Sequence, residues 1–227
     1  MVEDNAHGLF GSYRGRPLGT FGVVAAQSFH ETKNFTCGEG GALVIADESL
    51  VERAEIIREK GTDRKRFFRG QVDKYTWVDL GSSYVLTDLL AGFLAAQLEQ
   101  REAIQSARRR LWERYDEALR GWAARLGAQQ PIVPDDCEQS WHMYYLLLPS
   151  FEVRTQLIAW LRERGILAVF HYLPLHLSAM GRQHGGGEGQ CPVTEDVADR
   201  LLRLPFYTSM THAEQDEVID AMLAFRP

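Results

Sequence analysis

One lysine in this chain is set apart by its surroundings. Lys33 lies on a polar turn between two apolar runs, residues 23–29 and 42–46, within Ser28-Phe-His-Glu-Thr-Lys33-Asn-Phe-Thr-Cys-Gly38-Glu-Gly-Gly41. A lysine so placed can act as a Schiff-base nucleophile. The turn fixes its stem, and desolvation lowers its pKa, which favours attack on a carbonyl and later proton transfer. The flanking Ser, Thr and Gly groups can hold an anion, and the glycines let backbone approach a bulky ligand. The same residues also suit a solvated lysine on a tight turn, so both readings stand at this level. Asp4 offers a second group, at the end of a strand-like segment and just before a glycine-rich turn. An ionised Asp beside a pyridine nitrogen keeps that nitrogen protonated, which a carbanion-stabilising ring requires. An Asp here also suits a simple turn cap at Asn5.

Other clusters carry weaker chemistry. His171, Tyr172 and His176 contain metal-ligand types, but two histidines five apart on a strand and a Pro turn do not converge, and a third ligand is missing. His171 reads equally as a packed strand histidine. The basic run at Arg64, Lys65, Arg66 and Arg69 is either a solvated loop or a fork for a diphosphate. The glycine tract at residues 181–189 lacks a strand–turn–helix frame and reads as a mobile loop rather than a phosphate loop.

The elements that must position these groups follow from pattern. Residues 1–47 are short apolar strands separated by glycine-rich turns. Asp47 or Ser49 can cap a helix over residues 50–57 that Gly61 closes. From Thr87-Asp88 to about Arg125, apolar residues keep a helical spacing, which predicts one very long helix or a pair with a slight break. Residues 127–136, with Pro131 and Pro134, form the expected boundary. Beyond it the pattern predicts a strand at 142–148, a helix at 153–164, a strand at 166–172 and a helix at 195–204. A last helix is opened by the capping box Thr211-x-x-Glu214. The expected division is therefore residues 1–126, a partial large domain with the long helix, and residues 127–227, a small α/β domain.

Composition narrows the function classes. The chain has 227 residues, is 45% apolar, and carries a net charge of −6, enough for a real core and wrong for a nucleic-acid partner. Cys37, Cys137 and Cys191 are widely spaced and odd in number, which points to a reducing compartment and a cytoplasmic protein. The longest apolar run, residues 84–98, is broken by Thr87, Asp88 and Gln97. It reads as a buried helix, not as a membrane span.

Several blocks in order resemble the pyridoxal-phosphate (PLP)-dependent sugar-nucleotide aminotransferases of the DegT/StrS family. They are Val2-Glu-Asp4-Asn-Ala-His7, Gly15-x-x-x-Gly19, Ser28-Phe29-x-x-x-Lys33, Gly38-Glu-Gly-Gly41 and Glu55-Ile-Ile-Arg58-Glu-Lys-Gly61. Further along come Phe67-Phe-Arg69-Gly-Gln-Val-Asp-Lys74-Tyr-Thr-Trp77, Gly81-Ser-Ser83-Tyr84, Phe170-His171-Tyr172-x-Pro174-Leu-His176 and Leu201-Leu-Arg203-Leu-Pro205. The resemblance covers essentially the whole chain. It implies an α/β fold, the C-terminal portion of a fold-type I aminotransferase, with a long linking helix and a small C-terminal α/β domain.

The roles implied by that resemblance are specific. Lys33 carries PLP as a Schiff base and acts as the catalytic base. Asp4 pairs with the pyridine nitrogen, and Ser28 donates to the phosphate. His7 stands where most relatives have a glutamine near the phenolic oxygen. Ser83 stands where many have an asparagine that reaches a partner subunit's phosphate. The implied reaction moves an amino group, with L-glutamate as donor, to the 4-keto carbon of a dTDP-4-keto-6-deoxyhexose in deoxyamino-sugar biosynthesis. The implied assembly is a homodimer or a pairing with a complementing chain. A dehydratase branch of the family places a histidine where Lys33 stands, so Lys33 argues for the aminotransferases. In the family, Asp4 and Lys33 lie mid-chain. The Gly-Thr phosphate turn and the aromatic ring that stacks on the pyridine are therefore expected outside this sequence. The competing reading is a truncated, non-catalytic chain that serves as a binding partner or an inactive fragment.

Overall fold

Strand β1 (Val2–Asp4) opens the chain, followed by the short pair β2 (Ser12–Tyr13) and β3 (Arg16–Pro17), then β4 (Val24–Ser28) and β5 (Gly41–Ile45) in a computed structural model that describes residues 1–227. Strand β1 runs parallel to β4, with Val2 opposite Val24 and Asp4 opposite Ala26. Strand β5 returns antiparallel on the other side of β4, with Ser28 opposite Gly41. Period-2 alternation buries Ala25 completely, and Ala26 is exposed on the opposite face. The β2–β3 turn is made by Arg14 and Gly15, both at positive φ (50° and 74°), the conformation that a two-residue hairpin of right-handed twist demands.

A single 3-10 turn, Glu48–Leu50, leads into α1 (Val51–Arg58), and the Asp47 side chain accepts the Ser49 amide at 3.0 Å. The helix ends where Lys60 and Gly61 take positive φ and the Gly61 amide returns to the Ile56 carbonyl at 2.8 Å. Gly61 is required twice over: a Cβ there would sit 1.8 Å from the Asp79 carbonyl oxygen. Helix α2 (Arg64–Phe68) is brief. Thr87 caps α3 (Asp88–Glu99), and after a break at Gln100 the chain continues as α4 (Arg101–Leu126). The expected helix pair with a slight break is what the chain forms.

Contacts divide the chain into two units. Met1–Arg101 and Pro134–Ser140 make one; Glu102–Val133 and Trp141–Pro227 make the other. The division differs from the boundary expected at residue 127. Helix α4 presents Leu111, Trp112, Tyr115, Leu119, Trp122 and Ala123 to the core of the second unit, so nearly all of it folds there. Strand β6 (Cys137–Glu138) pairs antiparallel with β2 and brings residues 134–140 into the first unit. That pairing joins residues far apart in sequence, which no local pattern reports.

The second unit holds β7 (Tyr145–Leu147), α5 (Phe151–Arg162), β8 (Val169–Phe170), α6 (Ala179–Gln183), α7 (Pro192–Arg200), β9 (Leu201–Arg203) and α8 (His212–Ala224). Its sheet has the order β7-β9-β8, antiparallel throughout. Residues 201–203, expected within the end of a helix running to 204, form the central strand instead. Leu202 is fully buried between two partners, and Pro205 biases the residue before it towards extended backbone. The capping box of α8 forms in full: Thr211 Oγ1 accepts the Glu214 amide, and Glu214 accepts the Thr211 amide. The glycine tract, expected to be mobile, is folded on itself. The Gly186 amide donates to the Gly181 carbonyl at 2.8 Å, and a Cβ on either residue would meet backbone oxygen at 2.0–2.2 Å.

Candidate active site

Asp4 is presented by its two chain neighbours. The Glu3 carboxylate accepts the amides of Gly19 (2.8 Å), Phe21 (2.6 Å) and Gly22 (2.5 Å), pinning the returning turn to β1. Those amides, Gly22 foremost, hold the Glu3 carboxyl below the usual carboxylate range. Asn5 is buried; its amide donates to the Ala26 carbonyl at 3.0 Å and its side chain to the Leu18 carbonyl at 3.2 Å. Between these anchors the Asp4 side chain is exposed, and its Oδ1 accepts the Ala6 amide at 3.1 Å. The turn-capping reading of Asp4 is therefore realised, and it occupies only one carboxylate oxygen.

Lys33 sits on the loop that joins β4 to β5. The loop is closed at its base by the Phe29 amide on the Gly40 carbonyl (2.8 Å) and the Cys37 amide on the Phe29 carbonyl (2.9 Å). Its far side is gripped by Gln97 of α3, which accepts the Thr36 amide at 3.1 Å and donates to the Thr36 carbonyl at 2.7 Å. Phe35 fills the interior against Phe10, edge to face at 5.0 Å between centroids. The Lys33 amide donates to the His30 carbonyl at 2.9 Å, so the lysine is on a closed turn, half-buried. Burial pushes its amine below the ordinary lysine pKa, and the negative charge of Asp4 partly offsets that shift. The fold thus brings Asp4 and Lys33, 29 positions apart in sequence, into electrostatic reach of each other.

The other expected residues fall into two groups. Ser28 ends β4 two registers beyond the partner of Asp4, and its Oγ accepts the His30 amide at 3.4 Å. His7 follows Asp4 on the same turn, and its carbonyl accepts the hydroxyl of Ser140. Ser83 is not gathered with them. It is exposed, in an isolated antiparallel bridge with Glu59 beyond α1.

The basic run is engaged within the chain. Arg69 forms a two-pronged pair with Glu55 (2.8 and 2.5 Å), Arg66 faces Glu52 at 3.5 Å, and Arg64 faces Glu59 at 3.8 Å. These pairs favour the solvated-loop reading, because each fork already has a carboxylate partner. His171 and His176 do not share a centre: His176 Nε2 pairs with Glu195 at 2.8 Å, and His171 Nδ1 is buried without a partner. Burial foremost, and then Arg203, push the His171 pKa down, which keeps the ring neutral.

Glu3, Asn5, Gln97 and Ser140 were not singled out by residue type. Gln97 left a trace, as a polar residue interrupting an apolar helix face. Ser140 left none, since its partners are 106 and 133 positions away.

Residues 1–223 match the DegT/DnrJ/EryC1/StrS aminotransferase family. The chain belongs to that family. Among its relatives, the uncharacterized protein MJ1066 of Methanocaldococcus jannaschii is 32% identical over 233 residues, covering 100% of this chain and 59% of the relative. The dTDP-3-amino-3,4,6-trideoxy-alpha-D-glucose transaminase of Streptomyces venezuelae is 32% identical over 224 residues, covering 98% and 55%. The putative sugar aminotransferase Spr1654 of Streptococcus pneumoniae, solved in its PMP form, superposes with a TM-score of 0.87 at 26% identity, covering 97% of this chain and 57% of that one. The chain therefore spans somewhat more than half the length of the relatives it matches. As a DegT/DnrJ/EryC1/StrS member it has the mixed α/β architecture of the C-terminal portion of these aminotransferases.

Proposed function

We propose that this chain carries the Lys33 side of a PLP-dependent sugar-nucleotide aminotransferase site. The observation that carries the reading is a lysine of lowered pKa, on the loop that leaves β4, within electrostatic reach of a carboxylate at the end of the adjoining β1. The residues present fit the cofactor. Asp4 keeps one carboxylate oxygen beyond its turn cap, and Lys33 is half-buried on a closed loop beside it. PLP, when bound, supplies an electron sink that stabilises negative charge on the amine-bearing carbon.

The chain's own groups divide the work. Asp4, as an anion, holds the proton on the ring nitrogen. Lys33 Nζ would be the covalent anchor, and its free, neutral amine would be the base that holds the proton removed from the amine-bearing carbon. A lysine with a lowered pKa is in the neutral form for that step at lower pH than a free one. Ser28 would donate its hydroxyl to the phosphate, and the imidazole of His7 would serve the phenolic oxygen. Ser83 serves a partner subunit's phosphate, in keeping with its place apart from Asp4 and Lys33.

The substrate assigned is a dTDP-4-keto-6-deoxyhexose aminated at carbon 4, with L-glutamate as donor. Support comes from Ser28-Phe-His-Glu-Thr-Lys33-Asn and Phe170-His-Tyr-x-Pro174-Leu-His176, which resemble the 4-aminating branch. The Streptomyces venezuelae relative, by its name, makes a 3-amino sugar, so carbon 3 is the competing position. Pairing with a second copy or a complementing chain is supported by exposed apolar side chains in the same unit, among them Trp77, Leu80, Leu89 and Phe93.

The test is cofactor attachment. Purified chain incubated with PLP and reduced with borohydride should carry the pyridoxyl mass on the Lys33 peptide, and Lys33→Ala should abolish it. L-glutamate added before reduction should deplete that adduct. Labelling spread over surface lysines, unchanged in the variant, would refute the assignment and favour the non-catalytic reading.

A further inference from the structure

We infer that Ser140 is a positioning residue that sets the separation of Asp4 and Lys33. It is buried, and it reaches the first unit by a route unrelated to either turn. The pairing of β6 with β2, opposite Tyr13 and Ser12, carries it in. Arg14 secures the entry, its amide on the Asp136 carbonyl at 2.7 Å and its guanidinium on the Asp136 carboxylate at 3.0 Å.

At the end of this segment one residue ties two turns. The Ser140 hydroxyl donates to the His7 carbonyl, on the turn that follows Asp4. The Ser140 carbonyl accepts the Asn34 side-chain amide at 2.6 Å, next in sequence to Lys33. The Asp4 turn hangs from β1 and the Lys33 loop from β4, so strand pairing fixes their roots but not their tips. Gln97 holds the far side of the Lys33 loop, and Ser140 ties that loop to the Asp4 turn from outside both. A side chain touching neither ring nor amine then controls how strongly the carboxylate acts on the lysine.

The inference rests on the Asp4–Lys33 pair proposed above, and its test needs no cofactor, so loss of PLP attachment and loss of coupling are separate results. In the 227-residue chain, the pH dependence of Lys33 acetylation is followed by peptide mass spectrometry for the parent chain, D4N, S140A and D4N/S140A. In the parent background D4N should lower the Lys33 midpoint by about one pH unit, since it removes the neighbouring negative charge. With S140A present the same change should be roughly halved, the signature of two groups coupled through a third. S140T, which keeps the hydroxyl, should restore the full effect. Thermal unfolding by circular dichroism establishes that each chain is folded. Should S140A not fold, Asn34→Leu cuts the other tie and should reduce the D4N effect in the same way.

An equal D4N effect with and without the tie, in folded chains, overturns the inference. A role confined to stability would lower the unfolding temperature and leave that effect untouched. No D4N effect in the parent chain would remove the Asp4–Lys33 pair itself, and the inference with it.

Discussion

Lys33 and Asp4 show how two ordinary side chains become a candidate site through their settings. Burial lowers the lysine's pKa, the Asp4 charge opposes it, and the net direction is downward. The supports of Asp4 are as telling as the residue itself. Glu3 accepts three backbone amides, a geometry that stabilises the ionised carboxylate and so depresses its pKa below the usual value of about 4.3. The sign follows from proton binding: the unfolded chain holds the Glu3 proton more tightly than the folded one. The stabilisation is therefore complete above the unfolded pKa and disappears as pH falls through the folded one. Urea midpoints measured from pH 6 down to about pH 3 should decline less steeply in Glu3→Gln than in the parent chain. An identical pH slope in the two would show that these amides do not need the charge. At this scale Lys33 and Asp4 stand out as candidates in the sequence because cofactor chemistry restricts residue type, and Ser28 joins them through the family resemblance. Glu3 and Ser140 do not stand out, because a supporting hydrogen bond to backbone restricts only geometry.

Among the elements, the long helical stretch and the terminal helix were the readable ones. Periodicity runs through both, and their caps, Thr87 and the Thr211–Glu214 box, are local signals. Residues 201–203 depart from the expected helix for the opposite reason. Their strand state is imposed by β7 and β8 on either side of β9, partners more than 30 and more than 50 positions earlier. Leu202 is fully enclosed by that arrangement. Leu202→Ala should cost about 2–5 kcal/mol in the second unit, measured as a reduced urea midpoint at unchanged slope. A loss well under about 1 kcal/mol would mean that the sheet collapses around the gap, and β9 would not be the keystone its burial implies.

For the molecule as a whole, the first unit stands out for apolar surface it does not cover. Helix α3, expected to be buried, buries only Leu94: Leu89 is 86% exposed and Phe93 58%, with Trp77 and Leu80 also exposed. Patches of this kind mark surfaces that other protein covers. Sedimentation velocity should therefore show self-association of the chain, and Leu89→Asn with Phe93→Asn should shift it towards the monomer. A monomer at all concentrations in the parent chain would leave covering by a different chain as the reading for that face. The sequence alone carried the family resemblance, the charge class, the candidate lysine and carboxylate, and the longer helices, because these depend on residue type and on spacings of a few positions. Tertiary structure alone decided that α4 folds with the second unit, that 201–203 is a central strand, and that residues 134–140 return to clasp the Asp4 and Lys33 turns. Each of those outcomes is a pairing between distant segments, fixed by burial and by hydrogen bonds whose partners lie too far apart in sequence for any local pattern to report.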